Sequence, residues 1–180
     1  MNNIIKFDNI AYLSTGTARQ QQAYNVLVEH RIMELLLPYS SLLVGTIPIN
    51  IDIEGSDLDV LCAYQNKKEF VNHLRAHFST YPNFNLYETT ITGNETIIAN
   101  FMAYDFEVEI FGQQTPVKQQ YGYLHMLIEH ELLQRKGEAF RQEIISLKKQ
   151  GLKTEPAFAR ALKLTGNPYE ELLRIDVKQF

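Results

Sequence analysis

The sequence predicts a mixed α/β (α+β) fold: a β-sheet flanked by helices and followed by a C-terminal helical segment. Three observations lead there. In the first two thirds of the chain, apolar residues recur by turns at three- and four-residue spacing and at two-residue spacing, so helices and strands are interleaved. Beyond Gly112 only the helical spacing remains. The composition, 180 residues with 45% hydrophobic and 21% charged, is that of a globular chain long enough to bury a core of its own.

The elements follow in chain order. Residues 1–14 are expected to form a short arm, and Thr15 and Thr17 offer capping hydroxyls. From there Tyr24, Leu27, Val28, Ile32, Leu35 and Leu36 form one helical stripe that stops at Pro38, with His30 on its surface. A strand over 41–44 runs into the turn Gly45-Thr46. The spacer from Ile47 to Glu54 alternates apolar and polar residues and reads as a strand or an extended loop, with Asp52 and Glu54 facing solvent.

A strand over 57–64 leads to a helix over about 67–79 with Phe70, Val71, Leu74 and Phe78 inward and His73 and His77 on a solvated face. Pro82-Asn83 ends that helix. Residues 84–91 and 96–103 read as a hairpin turning at Thr92-Gly93-Asn94-Glu95, and Tyr104-Asp105 turns into a strand over 106–111. Helices then cover about 118–135, stopped by Gly137, and a stretch including Phe140, Ile144 and Leu147, stopped by Gly151. Two more open at Thr154-Glu155-Pro156, with Thr154 as the capping hydroxyl, and at Asn167-Pro168. The organisation expected is a core over 1–115 and a helical segment over 116–180 packed on it.

Composition excludes several classes. The single cysteine, Cys62, rules out an internal disulfide, and its place in an apolar strand makes it a small buried hydrophobe. A net charge of −4 and a pI near 5.7 argue against broad nucleic-acid binding, which needs basic surface. No apolar run reaches the ~18 residues of a membrane span, and the first residues lack a basic stretch followed by an apolar one, so a cytoplasmic location is expected.

Chemistry concentrates in one place. Asp57 and Asp59 are two apart, so on a strand their carboxylates leave the same face, shared with Leu61 and Ala63, while Leu58, Val60, Cys62 and Tyr64 line the other. Carboxylates so close repel, and one keeps its proton unless a cation stands between them. Mg²⁺ is the hard cation that takes one or two carboxylates and completes its shell with water and phosphate oxygens. About ten residues upstream, Gly45 lets backbone approach a ligand and Thr46 adds a hydroxyl. Taken singly, Gly45 reads more readily as a turn glycine, and the acids read equally as part of a solvated loop.

Together, Val44-Gly45-Thr46, the spacer and Ser56-Asp57-Leu58-Asp59-Val60 resemble the signature of the nucleotidyltransferase-fold superfamily related to DNA polymerase beta, with Thr46 where Ser or Gly is commoner. That signature covers about a third of the chain. The stretches GTIPINIDIEGSDLDV, EVEIFGQ and TEPAFA look more closely like a small bacterial family within the superfamily that has no assigned physiological substrate.

The resemblance implies a nucleotidyltransferase-like sheet and a third metal carboxylate on a neighbouring strand. Glu109 takes that role, with Glu107 as its rival. It further implies two Mg²⁺ ions, with Mn²⁺ as a substitute, on Asp57, Asp59 and Glu109, and a triphosphate positioned by Gly45, Thr46 and Ser56. Tyr123 and His125 become candidates for nucleotide or acceptor contacts, against the plainer reading of both as packing residues. The reaction implied moves an NMP from an NTP, expected to be ATP, to a hydroxyl of a small molecule or protein in preference to nucleic acid. A catalytically inactive nucleotide-binding or interaction protein, and a toxin-antitoxin component, are the alternatives.

Overall fold

The computed structural model describes residues 7–179. Its centre is one five-stranded sheet of order β1-β2-β5-β4-β3, built from β1 (Leu42–Val44), β2 (Leu58–Ala63), β3 (Asn85–Ile91), β4 (Asn94–Ala103) and β5 (Phe106–Gln113). β2 and β5 run parallel and every other pairing is antiparallel. The parallel pair requires a crossover, which α3 (Lys67–Phe78) and the β3–β4 hairpin supply.

Alternation along the strands sends side chains into two cores. On one face Leu43, Leu58, Val60, Cys62, Val108 and Ile110 meet α1 (Ala18–Glu29) and α3 through Ala23, Leu27, Phe70, Leu74 and Phe78. On the other, Leu42, Val44 and Leu61 meet α4 (Tyr121–Lys149), α5 (Thr154–Leu162) and α6 (Pro168–Leu173) through Met126, Phe140, Ile144, Phe158 and Leu172. Asp57 and Asp59 have the parity of Leu61, so the acids lie on the face that the helical segment covers. No helix among the described residues is long and apolar enough to cross a membrane.

Local chemistry sets the element ends. Thr17 and Gln20 form a reciprocal capping box on α1, Asn66 caps α3, and Asn167 caps α6. The β3–β4 hairpin turns on Thr92 and Gly93 alone, both at positive φ (49° and 81°), so β4 begins at Asn94, two residues earlier than the sequence suggested. Gly137, at φ 76° and ψ −168°, breaks α4 where a helix stop was expected.

Several expectations are corrected. The stripe from Tyr24 to Leu36, read as one helix stopping at Pro38, is α1 followed by the short α2 (Ile32–Leu35), because Arg31 adopts a left-handed conformation (φ 53°); the break buries Ile32 and Leu36 and leaves Val28 exposed. His30 is not a surface residue: it is half-buried, with Nδ1 2.9 Å from the Tyr81 hydroxyl. His73 is half-buried and Nε2 donates to the Leu35 carbonyl at 2.8 Å, so only His77 is solvated. The 1–14 segment is no loose arm where it is described, since Phe7 and Leu13 are buried; residues 1–6 lie outside the described residues. Thr154 does not cap α5: it is the first helical residue, Lys153 takes the cap position, and no side chain bonds there.

Candidate active site

The spacer between Gly45 and Asp57 is neither strand nor simple extended chain but a folded loop. Residues 46–50 turn, Ile47, Ile49 and Ile51 are buried, and Ile51 N–H donates to the Thr46 carbonyl at 3.1 Å. Three long side chains hold its backbone. Gln20 Nε2 donates to the Ile47 carbonyl (2.8 Å), Arg141 Nη1 to those of Ile49 (2.6 Å) and Asn50 (3.0 Å), and Lys148 Nζ to that of Ile51 (2.8 Å). A loop with buried backbone needs such partners. At its end Ser56 Oγ accepts from Ile53 N–H at 2.9 Å, so this hydroxyl shapes the turn that delivers Asp57.

Gly45 follows β1 at φ 81°, and a Cβ built there would overlap Oδ2 of Asp59. Only a residue without a side chain leaves that carboxylate its space. Thr46 beside it is half-buried. Asp57 immediately precedes β2, and Asp59 pairs with Val44 on one side and Glu109 on the other. Because β2 and β5 are parallel and in register, Asp59 and Glu109 leave the same face of the sheet. Glu107 shares that face but stands opposite Met102 and is exposed, whereas Glu109 is half-buried.

The row therefore brings Asp57, Asp59 and Glu109 to one face, with Glu107 at its margin. Burial first, then the charges of Asp57, Glu109 and Glu155, hold the Asp59 carboxyl well above the usual carboxylate range, against the pull of Lys148. Burial likewise raises Glu109, opposed by a hydrogen bond from Asn100. Among the described residues no three His, Cys, Asp or Glu side chains are already gathered at metal-ligating spacing.

Other residues belong to this region and were not read from the sequence. Asn100 Nδ2 donates to Glu107 Oε1 and to Glu109 Oε2, both at 3.2 Å. Its signal was a single polar residue in the apolar run Ile97-Ile98-Ala99-Asn100-Phe101. From the helical segment come Lys148 and Glu129, both buried. Burial lowers the Lys148 ammonium, and the charges of Glu129, Asp52, Asp57 and Asp59 draw it back up. Glu129 is raised well above the carboxylate range by burial and by Glu155. Its signal was a place on the buried stripe, four residues from His125 and from Leu133. Tyr123 and His125 serve packing: both are buried, and His125 Nε2 donates to the Tyr169 carbonyl at 2.8 Å.

This sheet, with its glycine corner and row of acids, has the nucleotidyltransferase fold. Solved structures share it. The GLD-2/RNP-8 complex superposes with a TM-score of 0.52 at 12% identity, over 88% of this chain and 59% of that one. The Cid1 poly(U) polymerase with Mg 3′-dATP bound gives 0.52 at 12%, over 87% and 48%. The polymerase core of TRAMP, an RNA surveillance complex, gives 0.50 at 13%, over 91% and 50%. The chain thus spans about half the length of these proteins, and at such identity the likeness is one of fold. The chain itself belongs to the family described as "Domain of unknown function (DUF4269)", which matches residues 25–175. No curated protein matches it.

Proposed function

We propose that the protein is a Mg²⁺-dependent nucleotidyltransferase that moves an NMP from an NTP, ATP being the expected donor, to a hydroxyl of an acceptor. The observation that carries this reading is the in-register placement of Asp59 beside Glu109, with Asp57 one step along the same face and the Gly45 corner kept clear. The donor set fits the ion: hard carboxylate oxygens on one face of the sheet, with Asp59 Oδ2 seated where a Cβ at position 45 would overlap it. Asp57, Asp59 and Glu109 would hold Mg²⁺, as two ions or with Mn²⁺ in their place. Bound there, the metal supplies neutralisation of the triphosphate and a lower pKa for the acceptor hydroxyl.

The chain's own residues do the placing. Gly45 and Thr46 offer backbone and hydroxyl to the triphosphate, and Ser56, its Oγ already accepting from Ile53, retains its O–H to donate. Lys148 limits the negative charge behind the acids. The acceptor oxygen bonds to the α-phosphorus as the bond to the pyrophosphate oxygen breaks, and the hydroxyl proton passes to solvent or to a carboxylate of the row. Placement and charge neutralisation account for most of such catalysis.

The net charge of −4 favours a small-molecule or protein acceptor, while the fold relatives named for poly(U) polymerase and RNA surveillance supply the contrary case. The test is incubation with each labelled NTP, Mg²⁺ and a cell extract, with products sorted by size and by nuclease or protease sensitivity. Label should transfer with the parent and with Glu107→Gln, and fail with Glu109→Gln. Transfer undiminished in Glu109→Gln removes the assignment. A non-catalytic nucleotide-binding role is the second reading, favoured by acids not yet gathered at ligating spacing. Mg-NTP binding without any labelled product in every extract would select it.

A further inference from the structure

We infer that Asn100 is the residue that aims the third carboxylate: strand register places Glu109 beside Asp59, and the Asn100 amide fixes how its carboxylate is turned. The inference rests on the transferase reading of the row. Asn100 sits in β4 directly opposite Glu109, whose other neighbour across the sheet is Asp59. Its single amide nitrogen has two hydrogens, and the geometry divides them: one bond reaches Glu107 Oε1 and one Glu109 Oε2, each 3.2 Å.

The amide therefore occupies one oxygen on each glutamate and leaves Glu109 Oε1 with no hydrogen-bond partner among the described residues. Two like charges two residues apart on one strand repel. A neutral donor shared between them offsets that repulsion without adding a cation that would compete with a metal. An aspartate at 100 would add a further acid to the row, and an alkyl side chain would leave both glutamates free to rotate. Glu107, exposed and fixed from one side only, becomes the anchor, and Glu109, half-buried beside Asp59, becomes the ligand.

Asn100 is thus a positioning residue that acts through Glu109. Residues that orient metal ligands without touching the metal change affinity by about 10- to 100-fold when removed. Asn100→Leu, similar in size, and Asn100→Ala are the variants, each checked for an unchanged circular dichroism spectrum. Calorimetric titration with Mg²⁺ or Mn²⁺ in the absence of NTP should show about tenfold weaker binding in both. Where turnover is measured, the Mg²⁺ concentration at half-maximal rate should rise by a similar factor, while the rate at saturating Mg²⁺ returns to within about twofold of the parent.

A double-mutant cycle adds the specific signature. Asn100→Leu should weaken metal binding far less in a Glu109→Gln background than in the parent, because the group it aims is already gone. Metal affinity in Asn100→Leu equal to that of the parent overturns the inference and leaves the transferase reading standing. Failure of the parent to bind either cation even with a non-hydrolysable NTP analogue present overturns both. Additive losses for Asn100→Leu and Glu109→Gln would likewise reject the aiming role.

Discussion

The two faces of the sheet come from the same strands and differ in what they hold. Toward α1 and α3, β2 presents Leu58, Val60 and Cys62, all fully buried, against an aromatic and aliphatic layer. Toward the helical segment, the intervening residues are Asp59 and Leu61, and β5 adds Glu109 beside them. One face is packed mainly by apolar side chains of α1 and α3; the other is apolar where α4 covers it and acidic where Asp57, Asp59 and Glu109 align. A change of one residue along β2 therefore exchanges a core position for an acidic one, and the contrast can be tested at adjacent positions.

The largest effect is expected at Asp59. Asp59→Ala should lower Mg-NTP turnover by orders of magnitude, at least about a hundredfold, with the circular dichroism spectrum unchanged. Next door, Leu58→Ala should do the reverse. Removing a fully buried leucine costs about 2–5 kcal/mol of stability, read as a lower denaturant midpoint, while turnover per folded molecule stays near that of the parent. If both variants lose activity equally with no difference in stability, the division of labour between the faces is wrong.

Gly45→Ala joins the two kinds of effect. A positive φ for alanine costs about 1–2 kcal/mol. The added methyl would also displace the Asp59 carboxylate, so this variant should lose both midpoint and turnover.

The smallest effect is a pH slope. Folding raises the pKa of Asp59 and Glu109, so between the ordinary carboxylate range and the raised values the native state holds more protons than the unfolded chain. Stability from this pair is therefore lost as pH rises through that window. Asp59→Asn should gain thermal stability over the parent as pH rises above the ordinary carboxylate range, and Mg²⁺ should narrow the gap by stabilising only the parent. A gap that shrinks with pH in metal-free buffer would contradict the burial of this acid.

Much of this could be read from local pattern. The acids at 57 and 59 share a face because strands repeat every two residues, and the turn at Gly93, the caps at Thr17, Asn66 and Asn167 and the break at Gly137 follow from residues within a few positions of one another. The straight helix through His30 failed for a reason of another kind. Its ring meets Tyr81, some fifty residues away, and the break at Arg31 suits the core more than the stripe suits a helix. The spacer failed likewise: its alternation resembled a strand, yet Gln20, Arg141 and Lys148 supply its carbonyls with donors from distant helices, so no neighbouring strand is needed.

What the amino-acid order determined by itself was therefore what short-range sterics and period control: the sheet strands and main helices, the stops at Gly137 and Gly151, and that two carboxylates leave β2 together. What tertiary structure alone decided was which strand lies beside β2. The parallel register of β5 sets Glu109, and not Glu107, next to Asp59, whereas the β4–β5 hairpin that brings Asn100 to both glutamates turns locally at Tyr104 and Asp105. Register between strands some fifty residues apart is fixed by the burial of two whole faces at once, and no local window of sequence contains that information.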